Sequence, residues 1–174
     1  MTQIILKRLP GAYLGGVSRE LPVPQTPSAS SPRPRVGPGA AVGISEAMIA
    51  QLVAAFYARV RQDEVLGPIF NRAIAPDQWP VHEARLCDFW SSVLLMTGRF
   101  KGSPMAAHAR WPDIQDEHFE RWLDLFARTA AETWPAPAAM LAGGRAEMIG
   151  QSLRQGMAVI RGELPPAHQR FAGE

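Results

Sequence analysis

Cysteine is the scarcest of the reactive residues: Cys87 stands alone in 174 positions. One thiol cannot close an internal disulfide, and no second cysteine supplies a CxxC pair for zinc or dithiol chemistry. No CxxCH is present, so no motif for covalent haem attachment exists. A reducing, cytoplasmic setting is the expectation. Long apolar runs are also missing. None approaches the ~18–20 consecutive residues that span a bilayer, so no membrane span is expected. Period-two alternation over strand length is absent too, which leaves the sequence without a sheet. The phosphate and nucleophile motifs GxGxxG, GxxxxGK[ST] and GxSxG are likewise missing.

What charge there is lies unevenly. The net charge is +2, yet residues 1–43 hold five bases (Lys7, Arg8, Arg19, Arg33, Arg35) against the single acid Glu20. The rest of the chain holds 13 bases and 15 acids, so the basic character belongs to the first segment. The remainder offers no electrostatic reason to expect nucleic acid. That first segment also carries 7 of the 16 prolines and 6 of the 15 glycines. Its run from Pro22 to Pro34 lacks the donors and the freedom for a helix. Residues 1–43 are therefore expected to form a disordered tail, followed by one domain over 44–163 and a flexible C-terminus over 164–174.

The residues of that domain are plentiful in apolar character, 47% across the chain, and their spacing is helical throughout. Ser45 serves as an N-cap, and Ile49, Leu52, Val53, Phe56 and Val60 form one stripe with Tyr57 at its edge. A second helix is expected from about Asp77, with Pro80 tolerated in its first turn. Trp79, His82, Leu86, Phe89, Trp90, Val93 and Leu94 share its inner face, with Arg85 one position off it. Gly98, Gly102 and Pro104 then end the helix and open a short apolar turn that presents His108, closed by Trp111-Pro112. A further helix begins with acids at Asp116, Glu117 and Glu120, as the helix dipole favours. Its inner face reads Phe119, Trp122, Leu123, Phe126 and Ala130. The last helix, about Ala138 to Arg161, is expected to turn Leu141, Met148, Ile149, Leu153, Met157 and Ile160 inward. The fold class is all-α.

Two of the four histidines, His82 and His108, fall on apolar segments; His118 and His168 read as surface residues. Each inner aromatic, and His82, taken singly, is explained by core packing or a place on the helix surface; for His108, on its short segment, ligand and non-ligand readings are balanced. Two histidines do not complete a zinc site, which needs about three or four ligands. Cys87 lies nearly opposite His82 on the helix, in apolar surroundings that keep it a thiol. A chain poor in acid–base machinery and rich in apolar wall suits a large flat cofactor that brings its own chemistry.

The stretches Phe56-Tyr57, Leu66-Gly67-Pro68-Ile69-Phe70, Trp79-Pro80-Val81-His82, Leu86-Cys87-Asp88-Phe89-Trp90, Pro104-Met105-Ala106-Ala107-His108 and Phe119-Glu120-Arg121-Trp122-Leu123 occur in that order. With them, Ile44 to Arg161 resembles a group III truncated haemoglobin, a two-over-two helical globin. The resemblance implies non-covalent haem b, with His108 as the iron ligand. It places Phe70 against the porphyrin and Arg85 at a haem propionate. Leu86, Phe89, Met105, Phe119 and Met148 are expected to add cofactor contacts. Phe56, Tyr57, His82, Leu86 and Trp122 are expected around a bound gas.

A gas that takes on partial negative charge when bound is stabilised by Tyr O–H or Trp N–H donors, by roughly 1.5–3 kcal/mol each. Dioxygen, nitric oxide and carbon monoxide are the expected ligands. The implied activity is reversible gas binding. Nitric oxide dioxygenation, with an unidentified reductase, or a peroxidase-like side activity would make the protein an enzyme. A scavenger or sensor without turnover is the alternative, though the chain shows no second domain to receive a signal. A haem-free helical bundle is the remaining one. His82 reads equally as a donor to the ligand or as a gate to the pocket.

Overall fold

The computed structural model describes residues 37–163. Six α-helices carry the fold: α1 (Glu46–Val60), α2 (Gly67–Ala73), α3 (Trp79–Leu95), α4 (Pro104–His108), α5 (Asp116–Thr133) and α6 (Ala136–Ile160). Short 3-10 turns at Ala40–Val42 and Pro76–Gln78 precede α1 and α3. No strand occurs among the described residues.

Local chemistry fixes where these helices start. The Ser45 hydroxyl accepts a hydrogen bond from the Met48 N–H (3.3 Å), and that of Ser103 accepts one from the Ala106 N–H (3.2 Å). Each satisfies a donor that a helix N-terminus leaves free. Pro68, Pro80 and Pro104 all fall in first turns, where a missing N–H costs nothing. The α5 start carries the expected acids Asp116 and Glu117 in its first turn, and His118 adds a cap: it folds back, and its Nδ1 accepts from the Gln115 N–H at 2.8 Å.

The helices pack as the two-over-two sandwich expected from the sequence: α1 on α3, α5 on α6, and α1 also on α5. The centre is aromatic. Phe126 stacks on Trp90 (centroids 4.8 Å) and on Trp122 (5.2 Å), and Phe56 meets Phe126 edge-on (5.3 Å). Trp90, Phe56 and Phe126 are all fully buried.

Two expectations need correction. The α6 helix buries its small residues, Ala138, Ala142, Ala146 and Gly150, at i, i+4 spacing. That ridge lets α5 approach closely; a Cβ on Gly150 would stand 3.2 Å from the Leu123 side chain. Of the larger residues expected to face inward, Met157 is buried and Leu141, Ile149 and Leu153 are half-buried, while Met148 and Ile160 turn outward, 62% and 47% exposed. The second correction concerns the boundary at residue 44. Gly37 and Gly39 are buried against the end of α3, where the Gly39 N–H donates to the Leu94 carbonyl (2.8 Å). A side chain at Gly37 would collide with the Leu95 backbone. Folded structure thus includes residues 37–43. The rest of the expected tail, 1–36, and the C-terminal segment 164–174 lie outside the described residues.

Candidate functional site

A cleft of about 730 Å³ opens between the helices, within the ~300–1,000 Å³ range of sites that hold large organic ligands. Tyr57 from α1, His82, Leu86 and Phe89 from α3, and Trp122 from α5 line it. So do Phe70 from α2, Pro104, Ala106, Ala107 and His108 from α4, and Phe119 from α5. Polar residues join the lining at Arg85, Asp88, Arg99, Lys101 and Arg110.

His108 owes its position to the brevity of α4. The helix is capped by Ser103 and is five residues long, so His108 sits in the turn that Pro104 begins. Its Nδ1 lies 2.8 Å from the Pro104 carbonyl oxygen. A carbonyl can only accept, so Nδ1 carries the hydrogen, and in the neutral ring Nε2 keeps a lone pair. Phe119 stacks against the imidazole with centroids 5.8 Å apart and planes 24° from parallel, fixing the ring's plane.

His82 is held differently. Tyr57 and Trp79 each meet it near perpendicular, with centroids 5.7 Å away. Its Nε2 is buried and has no hydrogen-bond partner among the described residues. Burial, and then the Arg85 charge, lower its pKa below the ordinary histidine value, so the ring is neutral at pH 7. Tyr57 is 3% exposed, and burial raises its phenol well above the ordinary range, outweighing the opposing effect of the Trp122 indole N–H. Its hydroxyl therefore stays protonated and able to donate. Cys87 is half-buried and also raised, by burial first and then by Asp88, which leaves an inert thiol.

No group of three or more His, Cys, Asp or Glu residues that could hold a metal occurs among the described residues. The cleft instead presents one imidazole with a directed lone pair and one buried nitrogen that lacks a partner. An orphaned buried polar atom carries a desolvation cost unless something else meets it. That donor set fits a flat cofactor that brings most of its metal's ligands, with a small polar ligand beside it.

Of the residues predicted from sequence, Tyr57, Phe70, His82, Arg85, Leu86, Phe89, His108, Phe119 and Trp122 come together in the lining. Three do not. Phe56 is fully buried behind the lining, edge-on to Tyr57 (4.8 Å) and Trp122 (5.2 Å). Consecutive helical positions lie about 100° apart, so only Tyr57 of the pair reaches the cleft. Met105 is turned to α6, where its terminal methyl, with the sulfur behind it, occupies the space that a side chain on Gly156 would need. Met148 faces solvent, and Ile149, Gly150 and Leu153 line the cleft in its place.

Several lining residues were not predicted. Arg99 and Lys101 sit in the irregular segment after α3, and Arg110 follows α4, where no periodicity signals a side chain's direction. His118, read as a surface residue, is only 18% exposed at its side chain and borders the cleft.

The sequence matches the bacterial-like globin family over residues 40–140. It is 42% identical over 85 residues to a group 3 truncated haemoglobin of Campylobacter jejuni, a stretch covering 48% of this chain and 67% of that one. The fold is similar to the crystal structure of group III truncated haemoglobin from Campylobacter jejuni, with a TM-score of 0.63 and 34% identity, covering 66% of this chain and 91% of that one. Cleft, helix order and sequence agree: the chain belongs to the bacterial-like globins and, among them, to the group III truncated haemoglobins.

Proposed function

We propose that the protein binds haem b non-covalently and holds a small diatomic gas beside it, dioxygen foremost. The observation that carries this reading is His108, whose Nδ1 is committed to the Pro104 carbonyl and whose Nε2 lone pair is left for a metal. Haem supplies, when bound, an iron centre that takes a gas ligand and exchanges an electron.

Everything else falls to side chains. Phe70, Leu86, Phe89 and Phe119 give the apolar walls that exclude water from a flat ring. Arg85 provides a cation for a propionate. Tyr57 offers an O–H that burial keeps protonated. Trp122 offers an indole N–H, and the unpartnered Nε2 of His82 faces the same need. Donors aimed at a ligand that gains partial negative charge favour dioxygen over carbon monoxide, which gains less.

The same donors favour an enzymatic use in which nitric oxide, dioxygen and one electron from an external reductase combine to nitrate. Rapid mixing of the reduced, oxygenated protein with nitric oxide tests it. Stoichiometric nitrate is expected, and its absence leaves reversible binding or scavenging as the function. Haem binding itself is tested by the visible spectrum of the reduced protein with and without dioxygen; no Soret band after haem addition would end the reading. The lone thiol of Cys87 accords with a reducing, cytoplasmic setting. No helix among the described residues is long and apolar enough to cross a membrane.

A further inference from the structure

We infer that Trp79 is a positioning residue: it holds the His82 imidazole inside the cleft, and Arg61 braces it. The inference rests on the haem reading above and adds to it what sets the direction of His82. Trp79 is 3% exposed and is not part of the cleft lining. It reaches the site only through others, one helical turn before His82 on α3. Its ring meets His82 at 84° (5.7 Å) and Tyr57 at 48° (6.2 Å). It therefore backs two of the polar residues at once, as Phe56 backs Tyr57 and Trp122.

His82 needs such backing. Its residue is only half-buried, yet its Nε2 is buried without a partner. An imidazole in that state lowers its free energy by rotating out to water, and nothing hydrogen-bonds it in place through Nε2. Perpendicular contacts from Tyr57 (86°) and Trp79 (84°) block that rotation from two sides. Trp79 is in turn covered by the Arg61 guanidinium, 4.9 Å above its ring. The order Arg61, Trp79, His82 thus runs from an exposed cation to the ligand space, and movement of His82 out of the cleft requires Trp79 to give way.

The test uses the full chain with Trp79→Leu, Trp79→Phe and Arg61→Gln, and His82→Leu as reference. In the reduced, haem-loaded proteins, the infrared stretching band of added carbon monoxide reports the polar group beside it, and flash photolysis gives the association rate. Trp79→Leu is expected to move the band to the His82→Leu position and to raise the association rate about two- to tenfold, the scale of lost aromatic pair contacts. Haem content should remain that of the wild type. Trp79→Phe should restore both readouts, and Arg61→Gln should shift them the same way by less. A wild-type band and rate in Trp79→Leu would overturn the inference. So would a His82→Leu band that does not move, or a Trp79→Phe protein as altered as Trp79→Leu. If Trp79→Leu does not fold, Arg61→Gln decides: a shifted band supports the brace and an unshifted one overturns it. If the wild type takes up no haem, the haem reading has failed. Proton NMR contacts between the His82 and Trp79 rings in the haem-free chain then decide this inference, their presence supporting it and their absence overturning it.

Discussion

The Nδ1–H of His108 donates to the carbonyl of Pro104, four residues earlier and 2.8 Å away. One hydrogen bond thereby chooses the tautomer and turns the ring, leaving Nε2 as the free ring nitrogen. The Ser103 cap holds the same turn from its other end.

His108→Ala should therefore lose haem retention. Haem content after gel filtration measures it, and His108→Gly with added imidazole should recover a Soret band. Full haem retention in His108→Ala would place the iron ligand elsewhere.

Tyr57→Phe and Trp122→Phe should each raise the dioxygen dissociation rate, by about ten- to a hundredfold if each donor gives a charge-assisted bond of roughly 1.5–3 kcal/mol. Stopped-flow displacement by carbon monoxide reads the rate. Carbon monoxide dissociation should change less in both variants.

What the sequence made legible divides along physical lines. The faces of α1, α3 and α5 are large apolar stripes, so Tyr57, His82 and Trp122 could be placed from spacing, and Pro104 with Ser103 marked the turn of His108. The α6 helix follows the rule that large apolar residues point inward at Met157, but not at Met148 or Ile160. Its contact with α5 is built on Ala and Gly, where closeness counts for more than area, and so Met148 was misplaced. Phe56 and Met105, expected at the gas and the cofactor, pack one helical step away from the cleft, because spacing tells an apolar position from a polar one but not a core contact from a cleft contact. Lys101 and Arg110 belong to irregular backbone, whose direction only the folded structure determines.

Acid should weaken the fold in part through Asp63. Burial alone would raise its carboxyl, but Arg121 and the Leu66 and Val65 N–H groups outweigh this and hold it below the usual carboxylate range. A depressed folded-state pKa stabilises above the unfolded value, about 3.9, and that contribution is lost as pH falls through the folded value. Urea midpoints between about pH 5 and pH 2.5 should fall, and Asp63→Asn should flatten that slope while lowering the midpoint at pH 7.

Trp90→Ala should destabilise by roughly 3–5 kcal/mol in chemical denaturation. The side chain is 2% exposed and stacks on Phe126 at the centre of the aromatic cluster, so neighbours cannot collapse into its place without unstacking.

A chain beginning at residue 44 should be less stable than one beginning at residue 37, by about 1–2 kcal/mol for a lost backbone hydrogen bond and its buried glycine contacts. Equal denaturation midpoints would make the turn before α1 dispensable.

That turn also changes how the molecule can come apart. Because the Gly39 N–H is fastened to the Leu94 carbonyl, the chain from before α1 to the end of α3 is a closed circuit. The α1 and α3 helices cannot separate by hinging at the loops between them unless this fastening also breaks. Closing the circuit carries an entropy cost that rises with the sequence distance between its ends. Once closed, it makes opening of that half cooperative. The frame that carries Tyr57 and His82 is then released as one unit, and hydrogen exchange should report a single protection level for the inner faces of α1 and α3.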